Sequence, residues 1–277
     1  MKETVHLGLL DLATASALIL LDAGISFALR LGVHRQVLVS AARMVVQLLI
    51  VGLVLRVVFA GASPAATLAV VLFMIGAAAN EVALRPKQRL ARLGNHRISA
   101  LVVSAAGVAT VILALLTAIR PDPWYAPRYA IPLMGIVLGS VLNAASIALD
   151  GVLDGAVRER ARIEARLALG ATFHQAIGPV LREAVRRGLI PIVNQMSAAG
   201  IITLPGIMTG QLLAGMDPME AVKYQILLMF LLAGASGVAA VGAALLGARA
   251  ISDGRQRLRV DRLRPAAAKR KPAGTRA

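Results

Sequence analysis

The sequence predicts an all-α, polytopic transmembrane helix bundle. Three observations point there. Hydrophobic residues make up 58% of the 277 and aromatics only 3%. The mean hydropathy is +0.74. Apolar stretches of about 20 residues, the length that crosses a bilayer as a helix, recur between short basic runs. Soluble domains carry roughly 45–50% apolar residues. The surplus here is Ala, Leu, Val, Ile and Gly, a set rich in the small side chains that let helices approach closely in lipid.

Seven spans are expected. They run over residues 9–29, 37–60, 65–83, 98–119, 130–149, 188–214 and 226–251. The sixth contains Pro205 within "ITLPGIMTG"; a proline deep in an apolar helix removes a backbone donor, so this span is expected to be broken. Asp11 interrupts the first span and no small-residue cleavage site follows it, so a removable leader is not expected.

Lys and Arg outside the spans set the orientation. One group of connections holds Arg30 and Arg35; Arg85, Lys87, Arg89, Arg92 and Arg97; Arg158, Arg160, Arg162, Arg166, Arg182, Arg186 and Arg187; and the C-terminal tail. The other holds Lys2, Arg120, Arg128 and Lys223, with Arg56 near a helix end. With seven spans every connection agrees, placing the N-terminus outside and the C-terminus in the cytoplasm. Residues 1–253 then form a transmembrane domain with a cytoplasmic segment over 150–187. Residues 254–277, "RQRLRVDRLRPAAAKRKPAGTRA" from Arg255 on, are too charged and Pro/Ala-rich to bury a core and are expected to be a disordered basic tail against anionic lipid. The net charge of +16 therefore belongs to membrane orientation, and nucleic acid is not an expected partner.

Several chemistries are excluded. The chain has no cysteine, which removes disulfides and thiolate chemistry. It has no G-x-x-x-x-G-K-S/T phosphate cradle, so no cofactor and no ATP site of its own are expected. His6, His34, His96 and His174 fall in predicted loops or termini, which leaves no helical H-E-x-x-H.

The long basic connection "DGVLDGAVRERARIEARLALGATFHQAIGPVLREAVRRG" carries charges at helical spacing that stop at Gly170, a fitting helix C-cap. Two short helices meeting at a Gly-Ala turn would make a knob under the membrane. Glu164, Ala165 and Gly170 keep the E-A-x-x-x-x-G spacing of the coupling loop in many ABC permeases, with Leu169 and Ala171 flanking the glycine. The later I-x-L-P part of that pattern is missing, since Val180, Leu181, Arg182 and Glu183 stand there. An amphipathic helix on the inner leaflet is the other reading of this segment.

In the sixth span, Pro205 frees a carbonyl, and Gly206 and Gly210 are expected to bring neighbouring backbone close. Broken helices at membrane depth present backbone groups to substrates, so Met208, Gln225 and these residues are either a pathway or a kinked packing element. Asp217-Pro218 reads as an N-cap followed by a first-turn proline.

The runs "LIPIVNQMSAAGIITLPGIMTGQLLAGMDPMEAVKYQI", "ARMVVQLLIVGLVL" and "RLALGATFHQA" together resemble the FetB family of ABC-transporter permeases, implicated in bacterial iron export, over nearly the whole chain. The resemblance implies a permease subunit without an ATPase site, paired with a separate cytosolic ABC ATPase that binds ATP-Mg, working as a homodimer in the bacterial inner membrane and exporting iron or another small solute. Plant members are linked with aluminium tolerance and nucleotide-sugar transport, so the cargo does not follow from the family.

Polar groups inside spans usually face the bundle interior. Arg43 and Gln47 lie one turn apart and match the family's R-x-x-x-Q-L; Asp22 is a candidate counter-charge for Arg43, as ion pair or as gate. Gly135, Gly139 and Asn143 repeat every fourth residue, a stripe for close packing or for a cavity-lining amide. Asn194, Gln195 and Ser197 are further path candidates. Met196 and Met208 suit either a soft-metal path or the filling of apolar gaps, and iron prefers oxygen and nitrogen ligands. A gradient-driven secondary transporter and a membrane scaffold for a cytosolic partner are the rival functions.

Overall fold

The computed structural model describes residues 8–61, 63–91 and 93–265; Lys2, His6, Arg92 and the basic residues beyond Pro265 lie outside the described residues. Nine α-helices are present among them, α1 to α9, with two three-residue strands. Six helices are long and apolar enough to cross a membrane. The chain divides into two compact units, residues 1–62 and 63–277.

The first unit holds α1 (Leu9–Ala28) and α2 (His34–Gly61). The Asp11 carboxylate accepts the Gly8 backbone N–H at 2.8 Å and so caps α1. Arg30 and Gly32, both at positive φ, turn the chain, and the Phe27 and His34 rings meet edge to face at 5.5 Å. Large apolar side chains such as Leu48 and Leu49 are exposed, as lipid-facing residues are.

The second unit is built on α5 (Pro127–Arg158), packed against α3 (Pro64–Leu84), α4 (Gly94–Ala114), α7 (Phe173–Ala198) and α9 (Pro218–Ala250). Its inward stripe, Val137, Val141, Ala145, Ala148, Leu149, Val152 and Ala156, is fully buried. These residues recur at three- and four-residue intervals, the helical signature of one buried face. Small residues of α9, among them Ala239, Ala240, Ala243 and Ala244, meet it. In lipid, where apolar contact alone does not drive helices together, such close approach is what holds them.

The small-residue contacts differ from the expected stripe. A Cβ at Gly139 would meet nothing, and one at Gly135 only the mobile end of Met74. Gly151 and Gly155, one turn apart on the same helix, pack instead against Ala184 and Val180 of α7; Gly188 of α7 lies against the Ala144 carbonyl of α5, 2.9 Å from where its Cβ would be. Gly206 and Gly210 face open space rather than neighbouring backbone.

Six expected spans are continuous helices. The sixth is not: α7 begins at Phe173, runs through the charged residues Arg182 to Arg187 and on past Pro191 to Ala198, and α8 (Gly206–Leu213) follows an irregular segment over 199–205. The expected second knob helix and the first half of span six are thus one helix, because backbone hydrogen bonding continues where hydropathy changes.

At the basic end, α3 and α4 are joined by β1 (Gln88–Leu90). Asp150 accepts the Lys87 backbone N–H at 2.7 Å, and Asn95 bridges the connection, accepting from Leu90 N–H and donating to the Ala83 carbonyl. Residues 254–265 of the expected disordered tail are folded. A 3-10 turn (Val260–Arg262) leads into β2 (Leu263–Pro265), antiparallel to β1 with Arg89 opposite Arg264. Charge did not prevent order there because Asp253 and Asp261 pair with Arg257 and Arg259, while Leu258 and Leu263 pack on the core.

Candidate functional site

Two features stand out, one at each end of α7. The first is the turn between α6 (Arg160–Ala168) and α7. Glu159 ends α5, and Ile163 anchors α6 at 1% exposure. Arg160–Glu164 and Arg162–Glu159 ion pairs line its outer side. Gly170, at φ +90°, closes the helix: its N–H donates to the Leu167 carbonyl, and the Ala171 N–H to the Arg166 carbonyl. This paired closure needs a left-handed residue that glycine adopts without strain. Two residues on, Thr172 caps α7 and Gln175 returns the bond to the Thr172 N–H. The turn is therefore rigid, and it presents Leu169 at 87% exposure.

The C-terminal segment forms the other wall. The Phe173 backbone N–H donates to Gln256 Oε1 at 2.8 Å. A cleft of about 760 Å³ lies between Glu164, Gly170 and Ala171 on one side and Gly254 to Leu258 on the other. Asp253 shapes this segment by accepting the Arg255 and Arg257 backbone N–H groups. The Arg257 amide, then its guanidinium, hold the Asp253 carboxyl down at about 2. Asp261 is lowered chiefly by its hydrogen bond from Arg259.

The second feature is the break. Ala198 O accepts from both Ile202 and Thr203 N–H, Gly200 N–H donates to Thr203 O, and Gly200 sits at φ +85°. Pro205 caps α8, and Thr209 returns its hydroxyl to the Pro205 carbonyl at 3.2 Å. Beside the break is a mainly apolar cavity of about 520 Å³. Its lining brings together Met196, Leu204, Pro205 and Met208 with Gln225, Met229 and Phe230 of α9. Gln225 is 9% exposed, and its Oε1 has no hydrogen-bond partner among the described residues. Asp217 caps α9 by accepting Met219 and Glu220 N–H.

The remaining candidates lie elsewhere. Asn143 borders a small polar cleft of about 40 Å³ with Ser140, Gln195 and Ser236, and its Oδ1 accepts from Arg85 Nη1 at 3.1 Å. Asn194 is exposed and, like Gly206 and Gly210, is absent from the lining of the large cavity. Arg43, Gln47 and Asp22 sit exposed in the first unit, and no Asp22–Arg43 ion pair occurs among the described residues. No cluster of three His, Asp or Glu that could hold a metal occurs among the described residues. Met229 and Phe230 were not among the sequence candidates, although each lies one turn from Gln225 or Ile226. Gln256 had no signal in sequence.

A family model described as Uncharacterised protein family (UPF0014) matches residues 9–251. The chain is 41% identical to the UPF0014 membrane protein slr1647 of Synechocystis, over 71% of this chain and 75% of that one. It is 34% identical to the UPF0014 membrane protein STAR2 of Oryza sativa, over 84% and 80%. It is 32% identical to the probable iron export permease protein FetB of Escherichia coli, over 92% and 96%. No solved structure matches the chain. With six continuous spans and these relatives it is a multi-pass membrane protein, and it belongs to the UPF0014 family.

Proposed function

We propose that this chain is the permease subunit of an ABC-type exporter, moving iron or another metal across a bacterial inner membrane with ATP-Mg hydrolysed by a separate cytosolic subunit. The observation that carries the proposal is the exposed Leu169 at the tip of a rigid turn at the basic end, joined by one helix to the break at the cavity. An unpartnered leucine on a basic knob suits docking into a partner protein. The similarity to a probable iron export permease supports the cargo class and the direction. Basic connections face the cytoplasm, which puts the N-terminus outside.

In this mechanism the nucleotide-binding subunits close around Glu164 to Ala171, α7 carries the displacement inward, and the segment over 199–205 rearranges beside Pro205, Met208 and Gln225. Within the second unit Asn143 with its Arg85 partner and Asn194 supply further polar stations, and within the first Arg43 and Gln47 form a polar pair one turn apart. ABC ATPases act in pairs, so two permease copies serve one complex. The test is ATPase stimulation by this chain, co-expressed with its cytosolic partner, in wild type, Leu169→Asp and Gly170→Pro. Correctly assembled variants with undiminished stimulation exclude the turn as the coupling element.

A further inference from the structure

We propose that the small cleft between α5, α7 and α9 is a hydrated inlet: water enters it from the basic end, past Arg85, and is held at membrane depth by Ser140, Asn143, Gln195 and Ser236. The inference stands apart from the ATPase reading, since it needs only that this unit crosses a bilayer. It starts from Ser236, which is 1% exposed and whose Oγ has no hydrogen-bond partner among the described residues. A serine inside a helix can return its hydroxyl to the carbonyl one turn back, as Ser104 does to Ala100 and Ser197 to Val193. Ser236 does not. Ser99 and Ser146 share that lack, and Ser236 is the one of the three on the cleft wall.

The wall decides the occupant. Asn143 and Gln195 stand at the exposed rim, Ser140 is half-buried, and Ser236 forms the floor. Ser236 lies about 21 Å from the Ala250 end of α9 at 1.5 Å per residue, inside a hydrocarbon core of roughly 30 Å, where an unmet hydroxyl is costly. The volume of about 40 Å³ exceeds the roughly 10–15 Å³ that one water needs. A bound water also needs about two to four polar partners, which these side chains supply. A metal ion carrying six waters, at about 30 Å³ each, takes about 180 Å³ and does not fit. A bare cation is disfavoured too. Among the described residues no Asp or Glu lines the cleft, and the Arg85 guanidinium stands 3.1 Å from Asn143 Oδ1. Arg85 also reaches Glu81 at 3.5 Å, and both side chains are exposed, so polar groups lead without a gap from the basic end to the rim.

The chain has no cysteine, so one introduced thiol reports on water. Silver ion is small enough for the cleft and binds the thiolate, which forms readily in water and poorly in apolar surroundings. Ser236→Cys, nearly isosteric, is compared in the full chain with Phe73→Cys, 76% exposed on α3, and Leu169→Cys, 87% exposed at the basic turn. Silver nitrate is added to membrane vesicles of each orientation, and thiols left free are counted with a maleimide after unfolding. The expected result is blocking of Ser236→Cys at least about tenfold faster than of Phe73→Cys, from the face that blocks Leu169→Cys. Blocking no faster than at Phe73→Cys overturns the proposal, and blocking from the opposite face alone overturns the route past Arg85. If Ser236→Cys does not assemble, Ser140→Cys takes its place. Ser236→Ala gives a second sign. Loss of a hydroxyl bound to water lowers the melting temperature by a few degrees; a variant that melts at or above the wild type held an unmet hydroxyl in a dry cleft, which also overturns the proposal.

Discussion

Gln256 and Phe173 are 83 residues apart in sequence, yet the side-chain carbonyl of one accepts the backbone amide of the other at 2.8 Å. The C-terminal segment therefore reaches the first turn of the helix that ends at the break. Replacing Gln256 with Ala leaves this part-buried amide without its partner, at a cost of about 1 kcal/mol. Faster hydrogen exchange at the first turn of α7 is the expected readout, with the melting temperature lowered by a few degrees.

Gly188 tests the packing of α5 on α7. A side chain there meets the Ala144 carbonyl at 2.9 Å and the Ala148 and Ala240 methyl groups at 3.2 Å, none of which can rotate away. Gly188→Val should destabilise the protein by about 1–3 kcal/mol, whereas Gly139→Ala, in open space, should leave thermal unfolding unchanged.

Gln225 separates fold from function. Its Oε1 is buried without a partner, so Gln225→Leu removes an unmet polar group and should raise stability by about 1 kcal/mol. Transport assayed with the ATPase should fall if this amide serves the cargo. A variant that is both more stable and fully active removes Gln225 from the path.

Acid tests the folded C-terminal segment. The Asp253 carboxyl is held at about 2, below its ordinary 3.8, because the ionised form accepts two backbone amides and the Arg257 guanidinium. A carboxyl lowered in the fold stabilises it fully above its unfolded pKa and loses that contribution as pH falls towards its folded one. Residues 254–265 should resist proteolysis at pH 5 and become cleavable on approaching pH 2; Asp253→Asn should be cleavable at both.

Hydropathy alone located the six continuous spans, because about 20 apolar residues in a row have few alternatives. Pro205 pointed to the break, but proline alone does not make one, since Pro132, Pro179 and Pro191 lie inside continuous helices; the chain turns at Gly200, at φ +85°, and Pro205 caps the helix that follows. Other features were hidden for physical reasons. Arg182 to Arg187 signalled a short helix separate from the sixth span, yet charged residues are good helix formers, and α7 runs through them into the apolar part without a stop. Glycine spacing named Gly135, Gly139, Gly206 and Gly210, but close approach depends on which face meets a neighbour, and Gly151, Gly155 and Gly188 have that position. The tail read as disordered because composition counts charges and not partners. Asp253 neutralises Arg257 and binds two amides, an arrangement visible only once the chain has turned.

The pairing of Gln88–Leu90 with Leu263–Pro265 also fixes an order of assembly. The first strand leaves the ribosome long before the second exists, so its edge waits open until synthesis is nearly finished. Only a polypeptide translated through Pro265 closes that ribbon. Prematurely terminated products would expose a bare strand edge, the kind of surface that quality control recognises and aggregation exploits.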